Sequence, residues 1–487
     1  MLAQKQMEGP HCYLRKGIYI MKKDYQEKLY SLLCDIWGYS ETMFEEHQSC
    51  ARMVEFLKEE GFEVETPVAD MDTAYVGVYG SGKPVICFLA EYDALYGMSQ
   101  TADIPKYAPL EERNQGHGCG HHLLGAGAIG AAMLYRDYLK ENGLSGTVKI
   151  VGCPAEEGGS GKAYLARAGF FDDADVALTW HPDNFHMVST GSSQACIQAF
   201  FDFHGVSAHA AAAPHLGRSA LDAVEIMDVG ANYLREHIEP TERLHYAIVK
   251  TGGESPNVVQ AEARVKYLIR STSAKKVKAL YERVCDVARG AAMITGTTVD
   301  IIFDEGLYDT LPNFALEDVL KESFLKIGIP EYTAEERAYA KQFKDSFPLE
   351  NALNNVPGAV IDIMALKDNI EQSELCDIFV DRIHYETCEP GSTDVGDVSW
   401  VLPTAQISTA CYSHGAGAHS WQWTGQGKSS IALKGAVLAA EVLADAAKSL
   451  TEKPELIEKA KAEFAKRMRG QKYECLIPAD VKPHIYS

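Results

Sequence analysis

No Cys-x-x-Cys spacing occurs anywhere in this 487-residue chain, although it carries 12 cysteines. Thiols scattered in this way do not form a disulfide framework, and a reducing cytoplasm is the expected compartment. No apolar run reaches the roughly 18 residues that a membrane span needs, so no transmembrane segment is expected. Positive charge is scarce: 46 Lys and Arg stand against 68 Asp and Glu, for a net charge of -22. Such a chain repels nucleic acid and anionic bilayers, and neither is an expected partner. Internal repeats and low-complexity tracts are also lacking. The first twenty residues have neither the apolar core nor the small-residue cleavage site of a signal peptide. Met21-Lys22-Lys23-Asp24 opens the first helical pattern, so residues 1–20 are expected to be a disordered extension or the product of an upstream start.

The length favours two domains over one core. Leu29, Leu32, Leu33 and Ile36, then Cys50, Met53, Val54 and Leu57 before Gly61, recur at helical spacing. Residues 73–79 and 84–90 are β-rich and joined by Gly80-Ser81-Gly82-Lys83, which reads as a hairpin. A small-residue helix is expected from the stretch after His121 to about Asn142, stopped by Gly143. Short apolar strands at 147–153 and 175–180 hand Glu156-Glu157 and His181-Pro182 to loops at their carboxyl ends, the edge where open α/β sheets bind ligands. From about residue 193 the texture changes to strands (195–203, 245–250, 258–269) and helices (217–237, 274–292). The predicted fold is therefore α/β: a central, mostly parallel sheet flanked by helices in a catalytic domain (21–192 and 306–487), interrupted by an inserted α+β domain (193–305).

The densest chemistry lies in Gly116-His117-Gly118-Cys119-Gly120-His121-His122. A thiol and an imidazole one glycine apart, just ahead of a helix, suit a metal site better than a buried free cysteine beside a capping histidine. Glu156-Glu157, two adjacent carboxylates after a buried strand, are costly unless a cation sits beside them. In a metallohydrolase one such carboxylate ligates and the other takes a proton from the activated water. His181 and His419 would each read alone as structural histidines. With the others they complete a Cys/Glu/His set sufficient for two metal ions. His209, in Ser207-Ala208-His209-Ala210, is equally a surface histidine or a group that steadies an oxyanion.

Taken in order, these motifs resemble the aminoacylase/carboxypeptidase-type dinuclear metallohydrolases, in the branch of amino-acid amidohydrolases. The resemblance covers most of the chain: Glu91-Tyr92-Asp93-Ala94-Leu95, His117-Gly118-Cys119-Gly120-His121, Pro154-Ala155-Glu156-Glu157-Gly158-Gly159, His181-Pro182, Gly205-Val206-Ser207-Ala208-His209-Ala210-Ala211 and His419-Ser420. Residues 217–224, 392–400 and 419–423 narrow it, within that branch, towards hydrolases of aroyl-glutamates. The resemblance implies a catalytic domain split by a dimerisation or lid domain. It implies two divalent metal ions, zinc or manganese, held by Cys119, His121, Glu157, His181 and His419, with Glu156 as general base and acid. His209 would act on the substrate carbonyl across a dimer interface, and Asn257 and Arg270 would clamp the substrate carboxylate. Two departures stand out. His122 replaces the Asp usual in the branch, and the loop from Gly97 to Gln115 is longer than in simpler aminoacylases.

The expected activity is hydrolysis of the amide bond of a small-molecule N-acyl or N-aroyl amino acid, an aryl- or acyl-glutamate first. The expected assembly is a homodimer or a heteromer with a related subunit. The alternatives are a dipeptidase, a hydrolase of other acyl-amino acids such as indole-acetyl-aspartate, or a non-catalytic partner subunit of a heteromeric hydrolase. Retention of both glutamates and all five donors argues against the last.

Overall fold

A computed structural model describes residues 12–15 and 18–484. Its centre is a seven-stranded sheet in the order Met187–Val188, Thr404–Ala410, Val176–Asp183, Val85–Glu91, Gly146–Cys153, Tyr75–Ser81, Glu63–Glu65. Thr404–Ala410, Val176–Asp183, Val85–Glu91 and Gly146–Cys153 run parallel and the remaining pairings are antiparallel, as the α/β expectation requires. Val85–Glu91 is buried along its whole length, the pattern of a strand covered on both faces. Its alternate side chains serve two cores. Ile86, Phe88 and Ala90 join helices Lys23–Tyr39, His121–Asn142 and Ser430–Glu452. Cys87 and Leu89 join helices Gly161–Arg167 and Val395–Ser399. Helix His121–Asn142 lies unusually close to the sheet because Gly125 has no side chain: a Cβ there would sit 2.5 Å from the Glu91 carbonyl oxygen.

The segment from 195 to 307 builds a separate antiparallel sheet, ordered Arg243–Lys250, Glu262–Ser271, Ala195–His204, Thr298–Leu307. Helices Ala220–Leu234 and Ala274–Thr295 cover it and share a core with Ile197, Phe201, Val265 and Tyr267. The alternating burial of Glu262–Ser271 shows one covered face. The chain returns to this unit at its other end. Tyr473 and Leu476 pack on the insert's core, while Tyr473, Cys475 and Val481 pack on the main body, where Ile477 is buried. The Tyr473 hydroxyl donates to Asp397 Oδ1 at 2.7 Å.

Three sequence expectations need correction. Tyr75–Ser81 and Val85–Glu91 are not a hairpin: Gly146–Cys153 lies between them, antiparallel to the first and parallel to the second. A strand buried on both faces needs a ladder on both edges, and this apolar strand supplies one. Residues 1–20 are not wholly a disordered extension. Cys12–Arg15 and Ile18–Met21 pair antiparallel, Tyr19 and Met21 are buried against the helical layer, and the Met21 N–H donates to Glu441 Oε1 at 3.0 Å. The apolar run Ile18-Tyr19-Ile20-Met21 drives that docking; residues 1–11, 16 and 17 lie outside the described residues. The third is the strand expected over 258–269, which begins only at Glu262. Among the longer strands, Thr298–Leu307 and Thr404–Ala410 have no counterpart in the sequence reading.

Candidate metal centre

The carboxyl ends of three neighbouring parallel strands converge on one spot. Val85–Glu91 brings Glu91 and Asp93, Gly146–Cys153 brings Glu156 and Glu157, and Val176–Asp183 carries His181 near its end. Cys119 and His121 come from the start of helix His121–Asn142. Between them, Gly120 has φ 82°, and a Cβ on it would lie 2.3 Å from the Tyr412 hydroxyl. Only glycine takes that backbone without strain, and it turns both donors to the same side. His419 precedes helix Trp421–Gln426; its N–H donates to the Gly118 carbonyl at 2.8 Å, which ties it to the Cys119 loop.

All five donors expected from the sequence therefore meet. Cys119, His121 and His181 form one triad whose ligand atoms lie within 4.8 Å of one another, and Cys119, Glu157 and His419 form a second. Cys119 belongs to both. Cys119 Sγ lies 3.5 Å from His181 Nε2, and His419 Nε2 lies 3.3 Å from Glu157 Oε1. His121 Nδ1 is 2.7 Å from Asp93 Oδ1, which leaves Nε2 as its outward donor. That Nε2 is buried and makes no hydrogen bond, although Glu91 Oε2 is 3.3 Å and Glu156 Oε2 4.0 Å away. A thiol, three imidazoles and a carboxylate around an orphaned donor nitrogen fit a pair of divalent cations.

The charges respond accordingly. Burial pushes the Glu156 carboxyl well above the usual carboxylate range, and Glu91 and Glu157 add to the push. Burial also acts upward on Glu157, but the His419 hydrogen bond and the His121 charge prevail and hold it at about 2. The Cys119 thiol is raised by burial and then by Glu157. His121 is raised despite its burial, by Cys119, Asp93 and Glu91. Two adjacent carboxyls with opposite proton affinities suit opposite tasks.

His117 and His122 point elsewhere, with Nε2 on the Ile36 carbonyl at 3.1 Å and the Gly427 carbonyl at 2.8 Å respectively. Burial first, then neighbouring positive charge, keeps both below the ordinary histidine range, His122 at about 3. His209, Asn257 and Arg270 are not brought to the cluster. His209 and Asn257 are exposed on the insert, and no hydrogen bond or ion pair joins any of the three to the donors. The His209 Nδ1 accepts from the Ala211 and Ala212 N–H groups, each at 3.2 Å, which puts the neutral ring's proton on Nε2. Sequence reasoning left four residues unassigned here: Glu91, Asp93, Lys162 and Asp394. Their signals are the acid pair Glu91-Tyr92-Asp93 at a strand's end and the place of Asp394 in the segment 392–400; nothing local marks Lys162.

A mainly parallel α/β sheet with thiolate, imidazole and carboxylate donors at its strand ends, beside a free carboxyl, is the arrangement of a metal-dependent hydrolase. The family follows from the sequence itself: residues 87–478 match the peptidase family M20/M25/M40, and the chain belongs to it. This bears out the expected family, fold class and enzymatic character. Across 454 residues the chain is 43% identical to one of the subunits of p-aminobenzoyl-glutamate hydrolase from Escherichia coli (strain K12), covering 92% of this chain and 94% of that one. It is 27% identical over 470 residues to the Xaa-Arg dipeptidase of Mus musculus, covering 91% and 90%. The crystal structure of the aminobenzoyl-glutamate utilization protein from Klebsiella pneumoniae shares the fold, with a TM-score of 0.57, 18% identity and coverage of 88% and 97%.

Proposed function

We propose that this chain hydrolyses the amide bond of N-acyl or N-aroyl amino acids, with p-aminobenzoyl-glutamate as first substrate and p-aminobenzoate and glutamate as products. The observation that carries the reading is the pair of donor triads sharing Cys119 beside Glu156, a carboxyl outside both. In this reading Cys119, His121, Glu157, His181 and His419 hold two divalent ions, zinc or manganese. The ions would supply Lewis acidity for attack on the amide carbonyl. Glu156 takes the proton of the attacking water and passes it to the leaving nitrogen. The thiolate leans towards zinc; imidazole and carboxylate also accept manganese.

The insert serves as lid and dimerisation domain of a homodimer. In support, its edge strand Arg243–Lys250 exposes Tyr246, Ile248 and Val249, beside the exposed Tyr233 of the neighbouring helix; an uncovered apolar edge invites a partner. Across that partnership His209 offers its Nε2–H to the substrate oxyanion. Arg270 and Asn257 clamp the substrate carboxylate. Arg270 Nε is buried with no hydrogen-bond partner, which suits a guanidinium kept for a ligand. A heteromer is the second assembly, because the 43%-identical relative is by name one component of a multi-subunit hydrolase. No helix among the described residues is long and apolar enough to cross a membrane. The eleven cysteines from Cys34 to Cys475 are free, which supports a cytoplasmic setting.

A second reading, dipeptide hydrolysis, is favoured by the Xaa-Arg dipeptidase relative. Release of p-aminobenzoate and of arginine from matched substrates, with zinc and with manganese, separates the two. Arginine release alone would overturn the first reading, and no release with either metal would overturn both.

A further inference from the structure

We propose that Glu91 belongs to the centre itself, as a carboxylate that Lys162 holds facing the donor nitrogen of His121. The proposal rests on the reading that the cluster holds divalent ions. Lys162 is fully buried, in the first turn of the helix that follows the Glu156-Glu157 loop. Its Nζ lies 2.6 Å from Glu91 Oε1 and 2.5 Å from Asp394 Oδ1, and its backbone N–H donates to Asp394 Oδ2 at 2.8 Å. Asp394 is as deeply buried, so the ammonium is fixed from one side and fixes Glu91 on the other. Lys162 thereby occupies only one oxygen of Glu91. The second, Oε2, is 3.3 Å from the orphaned His121 Nε2, and the donor atoms of Glu91, His121 and Glu156 lie within 4.8 Å of one another.

Three buried charges are a poor way to stabilise a fold, since apolar residues of similar volume commonly do as well or better. The arrangement is explained if the exposed oxygen has a partner that is not protein. A cation on His121 Nε2 would have Glu91 Oε2 at its flank, in direct contact or through one water. Lys162 is then a positioning residue and Glu91 a metal-facing one. A lysine does here what outer-sphere carboxylates do for histidine ligands, by fixing orientation and charge.

The test measures Zn²⁺ and Mn²⁺ affinity by chelator competition in the full chain, with thermal unfolding as the fold control. Glu91→Gln keeps the shape and leaves Lys162 paired with Asp394; it is expected to weaken at least one ion about 10–100-fold. Asp394→Asn touches Lys162 but not His121 and is expected to weaken binding less. Should Glu91→Gln not fold, Glu91→Asp retains the charge and the lysine pair but draws the oxygen back from His121, and it too must weaken binding. Wild-type affinity in the folded Glu91 variant, or an Asp394→Asn loss as large as that of Glu91→Gln, overturns the proposal. A wild-type chain that binds neither ion removes this proposal together with the dinuclear reading, whereas tight wild-type binding with no Glu91 effect removes this one alone.

Discussion

Asp93 ties Glu157 to His121. Its Oδ1 lies 2.7 Å from the His121 ring and its Oδ2 accepts the Glu157 N–H at 2.9 Å, with the whole side chain buried. One carboxylate thus fixes the tautomer of one expected ligand and the backbone of another. Asp93→Asn keeps the volume but loses the anion and one acceptor. Metal affinity in chelator competition is expected to fall about 10–100-fold, with the catalytic rate following it. Unchanged affinity would show that Asp93 is only structural.

Glu156 stands outside the two triads that share Cys119, although its carboxyl also lies within 4.8 Å of the Glu91 and His121 donor atoms; the proposed role of base sets it apart from the five expected ligands. Glu156→Gln is therefore expected to lower the rate of amide hydrolysis by about 10²–10⁴ while metal content and thermal stability stay near wild type. Loss of metal along with activity would make Glu156 a ligand rather than the base.

Arg270 is partly buried on the insert strand Glu262–Ser271, without an acidic partner. Arg270→Ala is expected to raise KM for p-aminobenzoyl-glutamate by about tenfold or more, the scale of a lost charge-assisted hydrogen bond, with a smaller change in kcat. Arg270→Lys should recover only part, because an ammonium cannot bind a carboxylate in bidentate fashion. An unchanged KM in both variants would place the clamp elsewhere.

Stability should decline as pH rises. Burial lifts Asp397 to about 8, against hydrogen bonds from Tyr473 and the Tyr308 N–H; it lifts Glu317 to about 8 and Glu441 to about 7. These groups hold protons in the folded chain at pH values where the unfolded chain has released them. Their contribution is complete below about pH 4 and is lost as pH climbs to about 8. Tm is expected to be lower at pH 9 than at pH 6, and Asp397→Asn, a neutral mimic of the protonated acid, to shrink that difference. An equal or larger difference in the variant would assign the pH dependence to other groups.

Three of the donors were legible because Cys119-Gly120-His121 and Glu156-Glu157 are short, chemically dense segments that advertise themselves without the fold, whereas His181, inside strand Val176–Asp183, and His419 gained meaning only beside them. The hairpin misreading arose because turn residues mark where a strand ends and say nothing about which strand pairs with it. Thr404–Ala410 escaped notice since a centrally placed parallel strand has no polar face to set an alternating pattern. Lys162 was invisible for a different reason. Its burial is decided by Asp394, 232 residues away, and by Glu91, and locally it is one more lysine at the start of a helix. The insert residues His209, Asn257 and Arg270 rest on the family resemblance for a further reason: no hydrogen bond or ion pair within this single chain joins them to the donors.

The final segment, from Tyr473 to Val481, bears on how the insert can move. It is wedged against both bodies at once, with Leu476 on the insert sheet near Gly306 and Phe303, Ile477 buried in the main body, and the Pro478 and Val481 carbonyls held by Arg167. In the proposed lid role, a swing of the insert about its two chain connections would have to shear this strip or carry it along. For such a lid the strip would act as a tether, fixed to the main body at Ile477 and Arg167 and to the insert at Leu476.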